Sequence, residues 1–91
     1  MTTQAKSVTS TGTVHAGPGR VHGVQFRAGA TAGSVVLKDG GASGTAKLTI
    51  YAPASATFAG FVPIGGGGIQ FTTDIHATLS QVDGVTVIFD N

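Results

Sequence analysis

Ser34–Ala52 reads SVVLKDGGASGTAKLTIYA, two alternating runs around a glycine-rich break. In Thr45–Ala52, Ala46, Leu48, Ile50 and Ala52 fall on one parity, and Lys47, Thr49 and Tyr51 on the other. Period two of this kind is the signature of a half-buried strand. Ser34–Lys38 is a shorter strand before it, and Asp39-Gly40-Gly41 is a turn, because glycine reaches positive φ without steric cost. Pro53 ends the second strand. The segment therefore predicts a β-hairpin. Gly40–Thr45 superficially resembles a phosphate loop, but no lysine follows Gly44 directly and a strand follows where a helix is needed.

The same punctuation runs outward in both directions. Ser7–Ala16 alternates and is broken by Gly17-Pro18-Gly19. Val21–Ala28 places Val24, Phe26, Ala28 and His22 on one parity, against Gln25 and Arg27. Thr57–Ile64 is less regular: Phe58, Val62 and Ile64 share a parity that Phe61 opposes, which makes Phe61 the best candidate for an exposed anchor. Gly65, Gly66, Gly67 and Gly68 form a loop able to admit a ligand or another backbone. Ile69–Ser80 is the longest alternation, with Ile69, Phe71, Ile75, Ala77 and Leu79 opposed by Gln70, Thr72, Asp74, His76 and Thr78. Val85, Val87 and Phe89 mark a last strand. No window carries a capped helical stripe. The expected fold is all-β, a single small antiparallel β-sandwich or barrel of about seven strands over residues 8–91. Residues 1–7, polar and without apolar anchors, are expected to be a flexible arm.

Composition bounds function. The chain has 91 residues, so it is one small domain. A domain of this size buries roughly 60–68% of its unfolded surface and needs a supplement to its core. Cysteine is absent, so no disulfide supplies one, and His15, His22 and His76 share no metal-ligand spacing. Oligomerisation or docking on a larger body is the remaining supplement. Charged residues are 10% of the chain, glutamate is absent and the net charge is +1. That balance builds no field for nucleic acid. No apolar run approaches a membrane span or the core of a secretory signal, so neither membrane nor export is expected.

Few residues suggest chemistry. Asp74 and His76 lie two apart on a predicted strand and would share a face, as a carboxylate orienting a base does. No motif places a nucleophile or a third group beside them, so no catalytic residue, cofactor or metal is assigned. Tyr51, the one tyrosine, lies on the outer parity of its strand, where a sugar contact is conceivable. Tyr51, Phe61, the four glycines, Asp74 and His76 are the candidate interaction residues.

Three stretches carry a resemblance. They are Gly19-Arg20-Val21-His22-Gly23; Ala32–Gly41 with Gly44–Ile50 and Pro53-Ala54; and Gly68–Leu79. Together they resemble the short, glycine-rich, all-β structural proteins of tailed bacteriophages. The resemblance spans nearly the whole chain and rests on turns and strands. It implies a non-enzymatic component of the virion, assembled in the bacterial host cytoplasm, whose partners are other virion proteins and copies of itself. Within that class the expectation is a capsid decoration or cement protein that binds the major capsid protein on the head surface. The alternatives are a ring-forming head–tail connector or tail component, and a carbohydrate-binding or adhesion module.

Overall fold

The computed structural model describes residues 3–55 and 58–90. They form nine strands: β1 Thr3–Val8, β2 Gly12–His15, β3 Gly19–Ala28, β4 Gly33–Asp39, β5 Thr45–Ala52, β6 Ala59–Pro63, β7 Ile69–Phe71, β8 Ile75–Ser80 and β9 Val82–Asp90. All pairings among them are antiparallel. One sheet runs β1-β9-β3-β6, with β7 continuing the β6 edge along β3; the other runs β2-β8-β4-β5. The chain is thus all-β and sandwich-like.

Nine strands stand where about seven are expected because two alternating runs each divide. Ser7–Ala16 breaks between Val8 and Gly12, so its halves lie in different sheets. Ile69–Ser80 breaks at Thr72–Asp74 and also changes sheet. Its apolar parity survives the crossing, since Phe71, Ile75 and Ala77 are all fully buried. Residues 3–8 depart from the flexible arm expected of residues 1–7. Every β1 residue pairs with β9, from Thr3 opposite Asp90 to Val8 opposite Val85. Side chains Thr3–Ser7 are exposed, so this strand is held by its backbone ladder and leaves no apolar pattern in the sequence. Met1 and Thr2 of that arm lie outside the described residues, as do Thr57 of the fifth predicted run and Asn91.

The core is built on the two longest strands. β3 and β9 lie side by side and send Val21, Val24, Phe26, Val85, Val87 and Phe89 inward to meet Val35, Leu37, Ile50 and Ile75 of the other sheet. Val21 and Val24 are of opposite parity, yet both are fully buried. The register against β9 slips between Val21 and Gly23, so an extra residue, His22, is accommodated there. Such a bulge turns both flanking valines to one face and moves His22 off the apolar parity on which the sequence placed it. A second slip, between Leu37 and Lys38, leaves Lys47 unmatched and Ala46 exposed rather than inside.

Ile75 lies at the start of β8 with no exposed surface, in one buried cluster with Phe71 and Phe89 of the opposite sheet. Ile75→Ala removes a buried branched side chain and should cost about 2–5 kcal/mol. At about 4–8 °C of melting temperature per kcal/mol, thermal denaturation will read the loss directly. An unchanged midpoint would mean that Ile75 does not face the core.

Candidate functional site

The predicted residues separate into three places. Asp74 stands at the corner where the chain passes from β7 to β8. Its Oδ1 accepts the Gly40 and Gly41 amides at 2.9 and 3.0 Å. Asp39, at the end of β4, answers across the same gap. Its carboxylate accepts the Thr72 amide and hydroxyl, both at 3.0 Å, and the amides of Thr73 at 2.8 Å and Asp74 at 3.4 Å. The two carboxylates form a reciprocal clasp between the β4–β5 turn and the β7–β8 corner. Amides at such a corner have no ladder partner and must find acceptors elsewhere. His76 does not join Asp74 as a base would. It is buried between its register partners Thr13 and Lys38, and its Nδ1, like Thr78 Oγ1, has no hydrogen-bond partner among the described residues. The pair expected to share a polar face is therefore split: Asp74 closes a turn, and His76 is packed away from water.

The four glycines span the gap between β6 and β7, opposite the bulged His22. Ile64 donates its amide to the His22 carbonyl at 2.9 Å, and Gly68 to the Gly65 carbonyl at 3.3 Å. Arg20 Nη1 reaches over the loop to the Gly67 carbonyl at 3.2 Å. Gly66 and Gly68 hold φ values of 69° and 84°, and a Cβ on Gly68 would stand 2.7 Å from the Val21 carbonyl oxygen. Glycine is needed there for both reasons. Beside the loop His22 Nε2 meets Asp90 Oδ2 at 2.7 Å, and the Thr3 hydroxyl donates to Asp90 Oδ1 at 2.6 Å. This chain ties β1, β9 and β3 together. The Thr3 bond, and then His22, holds the Asp90 carboxyl below its ordinary range against some desolvation. Sequence reading missed this triplet, because its members are remote in the chain.

The exposed aromatics lie on opposite sides of the sandwich. Tyr51, 80% exposed, stands on β5 at the open edge of the four-stranded sheet. Phe61, 55% exposed, stands on β6 opposite Gln25, on the outer face of the five-stranded sheet. Its ring lies over Gly23, where a Cβ would come within 2.9 Å of it. Phe58, expected inside by parity, is 43% exposed, and packs against Phe26 with ring centroids 6.0 Å apart. On the same face a groove of about 350 Å³ has Gln25, the register partner of Phe61, with Arg27, Ala59, Gly84 and Thr86 among its lining. Gly84 carries no side chain to fill it. Among the described residues no group of three or more potential ligands converges as a metal site requires. Comparison with family models, curated proteins and solved structures finds no match.

The clasp has a measurable titration. The backbone amides of Thr72 and then Thr73 lower the Asp39 carboxyl from 3.8 to about 2, although partial desolvation opposes them. The folded value lies below the unfolded one. The stabilisation is thus complete above pH 3.8 and is lost as pH falls toward 2. Carboxyl NMR should place the Asp39 midpoint near 2, and Asp39→Asn should flatten the acid limb of the stability curve. An ordinary midpoint would show that the amide bonds do not persist in solution.

Proposed function

We propose that this chain is a non-enzymatic structural protein of a tailed-phage virion, a decoration or cement protein that lays the outer face of its five-stranded sheet on head proteins. One observation carries the reading. Phe61 exposes more than half its surface on a sheet face, and its register partner Gln25 lines a groove that the described residues leave open. Large exposed rings rimmed by polar groups mark protein contacts, and buried aromatics dominate their energetics. Arg27 and Gln25 line the groove and supply polar contacts around the ring. The resemblance of the turns and strands to small phage structural proteins supplies the setting. The side chains that suggested chemistry support the same reading from the other direction, since Asp74 is engaged by the Gly40 and Gly41 amides.

A ring-forming connector or tail component is the second reading. Its support is that each sheet ends in open edges, which let different surfaces of neighbouring copies meet around a ring. The adhesion reading draws less support. Tyr51 is without a companion, because the other exposed large rings, Phe58 and Phe61, belong to the opposite side.

Mass spectrometry of density-purified particles of the encoding phage should find this chain bound to heads in fixed ratio to the capsid protein. Phe61→Ser should release it into the soluble fraction without lowering its melting temperature. Recovery of the wild-type chain only in the soluble lysate would overturn the assignment. Recovery with tails alone would replace it with the connector or tail reading.

A further inference from the structure

The four-stranded sheet ends on β5, eight residues long, whose outward amides and carbonyls meet no other strand among the described residues. Edges of this length are normally blunted by proline, by several charges or by a covering loop. Here the only charge within the strand is Lys47, at the bulge opposite Lys38; beyond that bulge Leu48–Ala52 keeps a regular register against β4, and the next proline is Pro53. We propose that this edge pairs antiparallel with the β5 edge of a second copy of this chain, about a two-fold axis at Thr49. The surface lies on the other sheet from Phe61 and its groove, so the inference does not depend on what that face binds.

The choice of partner rests on the order of residues in the strand. Directly opposed residues of an antiparallel pair share a face. About Thr49, Leu48 of each copy meets Ile50 of the other on the core side. Lys47 meets Tyr51 on the outer side, and Thr49 meets Thr49. Each row is a favourable cross-strand pair: aliphatic with aliphatic, ammonium over an aromatic ring, hydroxyl with hydroxyl. Leu48 is half-buried and Tyr51 is 80% exposed, so each gains cover from the row it joins. Other registers lose this agreement. Centring on Lys47 opposes two ammonium groups. Centring on Ile50 sets Lys47 against Pro53, and centring on Leu48 sets it against Thr49, so either loses the row of ammonium over ring. A shift of one residue sets Leu48 against Thr49 and turns the core side of one sheet to the outside of the other. A foreign strand has no reason to match this sequence row for row, whereas a second copy does so by symmetry.

The absence of native cysteine makes the register directly testable on the full chain. In the two-fold pair the Thr49 Cα atoms lie about 4.5–5.5 Å apart, within disulfide reach. The two Tyr51 positions are offset by four residues, about 13 Å. Thr49→Cys should therefore oxidise to a covalent dimer, and Tyr51→Cys should not. Mixing Lys47→Cys with Tyr51→Cys protein should give the crossed dimer. Sedimentation of the wild-type chain should show a reversible monomer–dimer equilibrium. Tyr51→Lys, which sets lysine against lysine twice, should raise its dissociation constant at least about tenfold. Adding Lys47→Glu to that variant should restore the dimer, and circular dichroism will confirm that each variant is folded. The proposal fails if the wild type remains a monomer to about 1 mM. It fails equally if a dimer forms that ignores Tyr51→Lys, or if Tyr51→Cys cross-links and Thr49→Cys does not. None of these readouts involves a particle, so failure here leaves the head-binding assignment to its own experiment.

Discussion

A strand that leaves one sheet for another passes through residues whose amides have no ladder, and in so small a sandwich those amides need a fixed acceptor. Asp39 provides it. Its carboxylate takes the amides of Thr72, Thr73 and Asp74 where β7 of one sheet gives way to β8 of the other. Asp74 returns the contact to Gly40 and Gly41, so the same bonds that turn the corner also fix the β4–β5 hairpin. β8 pairs with β4, and β4 with β5. The corner therefore sets the register of the sheet that carries Leu37, Ile50 and Ile75 against the core. With no disulfide in the chain, two aspartates perform a tethering task that small extracellular domains often give to cystines.

The hydrophobic pattern showed the class of fold and most of the strands, because alternation is imposed locally by the pleat. Phe71, Ile75 and Ala77 alternate without interruption, so nothing in their spacing reveals that the chain changes sheets between the first and second of them. Only Thr72-Thr73-Asp74 marks the place, and its acceptor is 33 residues or more away. The bulge at His22 is hidden for a related reason. A slip of one residue is a property of two paired strands, and the sequence of β3 alone shows it merely as a histidine among apolar neighbours. β1 was illegible because its side chains bury almost nothing. The Asp74–His76 reading failed at the same corner: period two holds only inside a strand, and Asp74 lies just outside one.

Charged groups in this chain are few, and the structure engages several of them internally. Asp39 and Asp74 close the corner, Asp90 joins Thr3 to His22, and Arg20 covers the glycine loop. What remains outward and distinctive is aromatic or cationic: Tyr51, Phe58 and Phe61, with Arg27 and Lys47. Recognition by such a surface draws on ring burial and stacked cations more than on ion pairs, so its attraction survives salt better than a charged face would.

The two proposed surfaces are geometrically compatible, and the symmetry of the strand says how. An antiparallel β5 pair with matched core sides has its two-fold axis perpendicular to the joined sheet. Both five-stranded sheets then lie on the same side of that plane, and their outer faces, each with a Phe61, point the same way. A pair built so can rest on one surface through both faces at once. The second contact becomes intramolecular once the first is made, and its effective concentration is set by a rigid spacer rather than a floppy linker. Weak individual contacts then suffice for firm attachment, which suits a domain too small to offer a large interface alone. A register shifted by one residue would turn the two faces opposite ways and forfeit that advantage, so the order Lys47-Leu48-Thr49-Ile50-Tyr51 bears on attachment as well as on dimerisation.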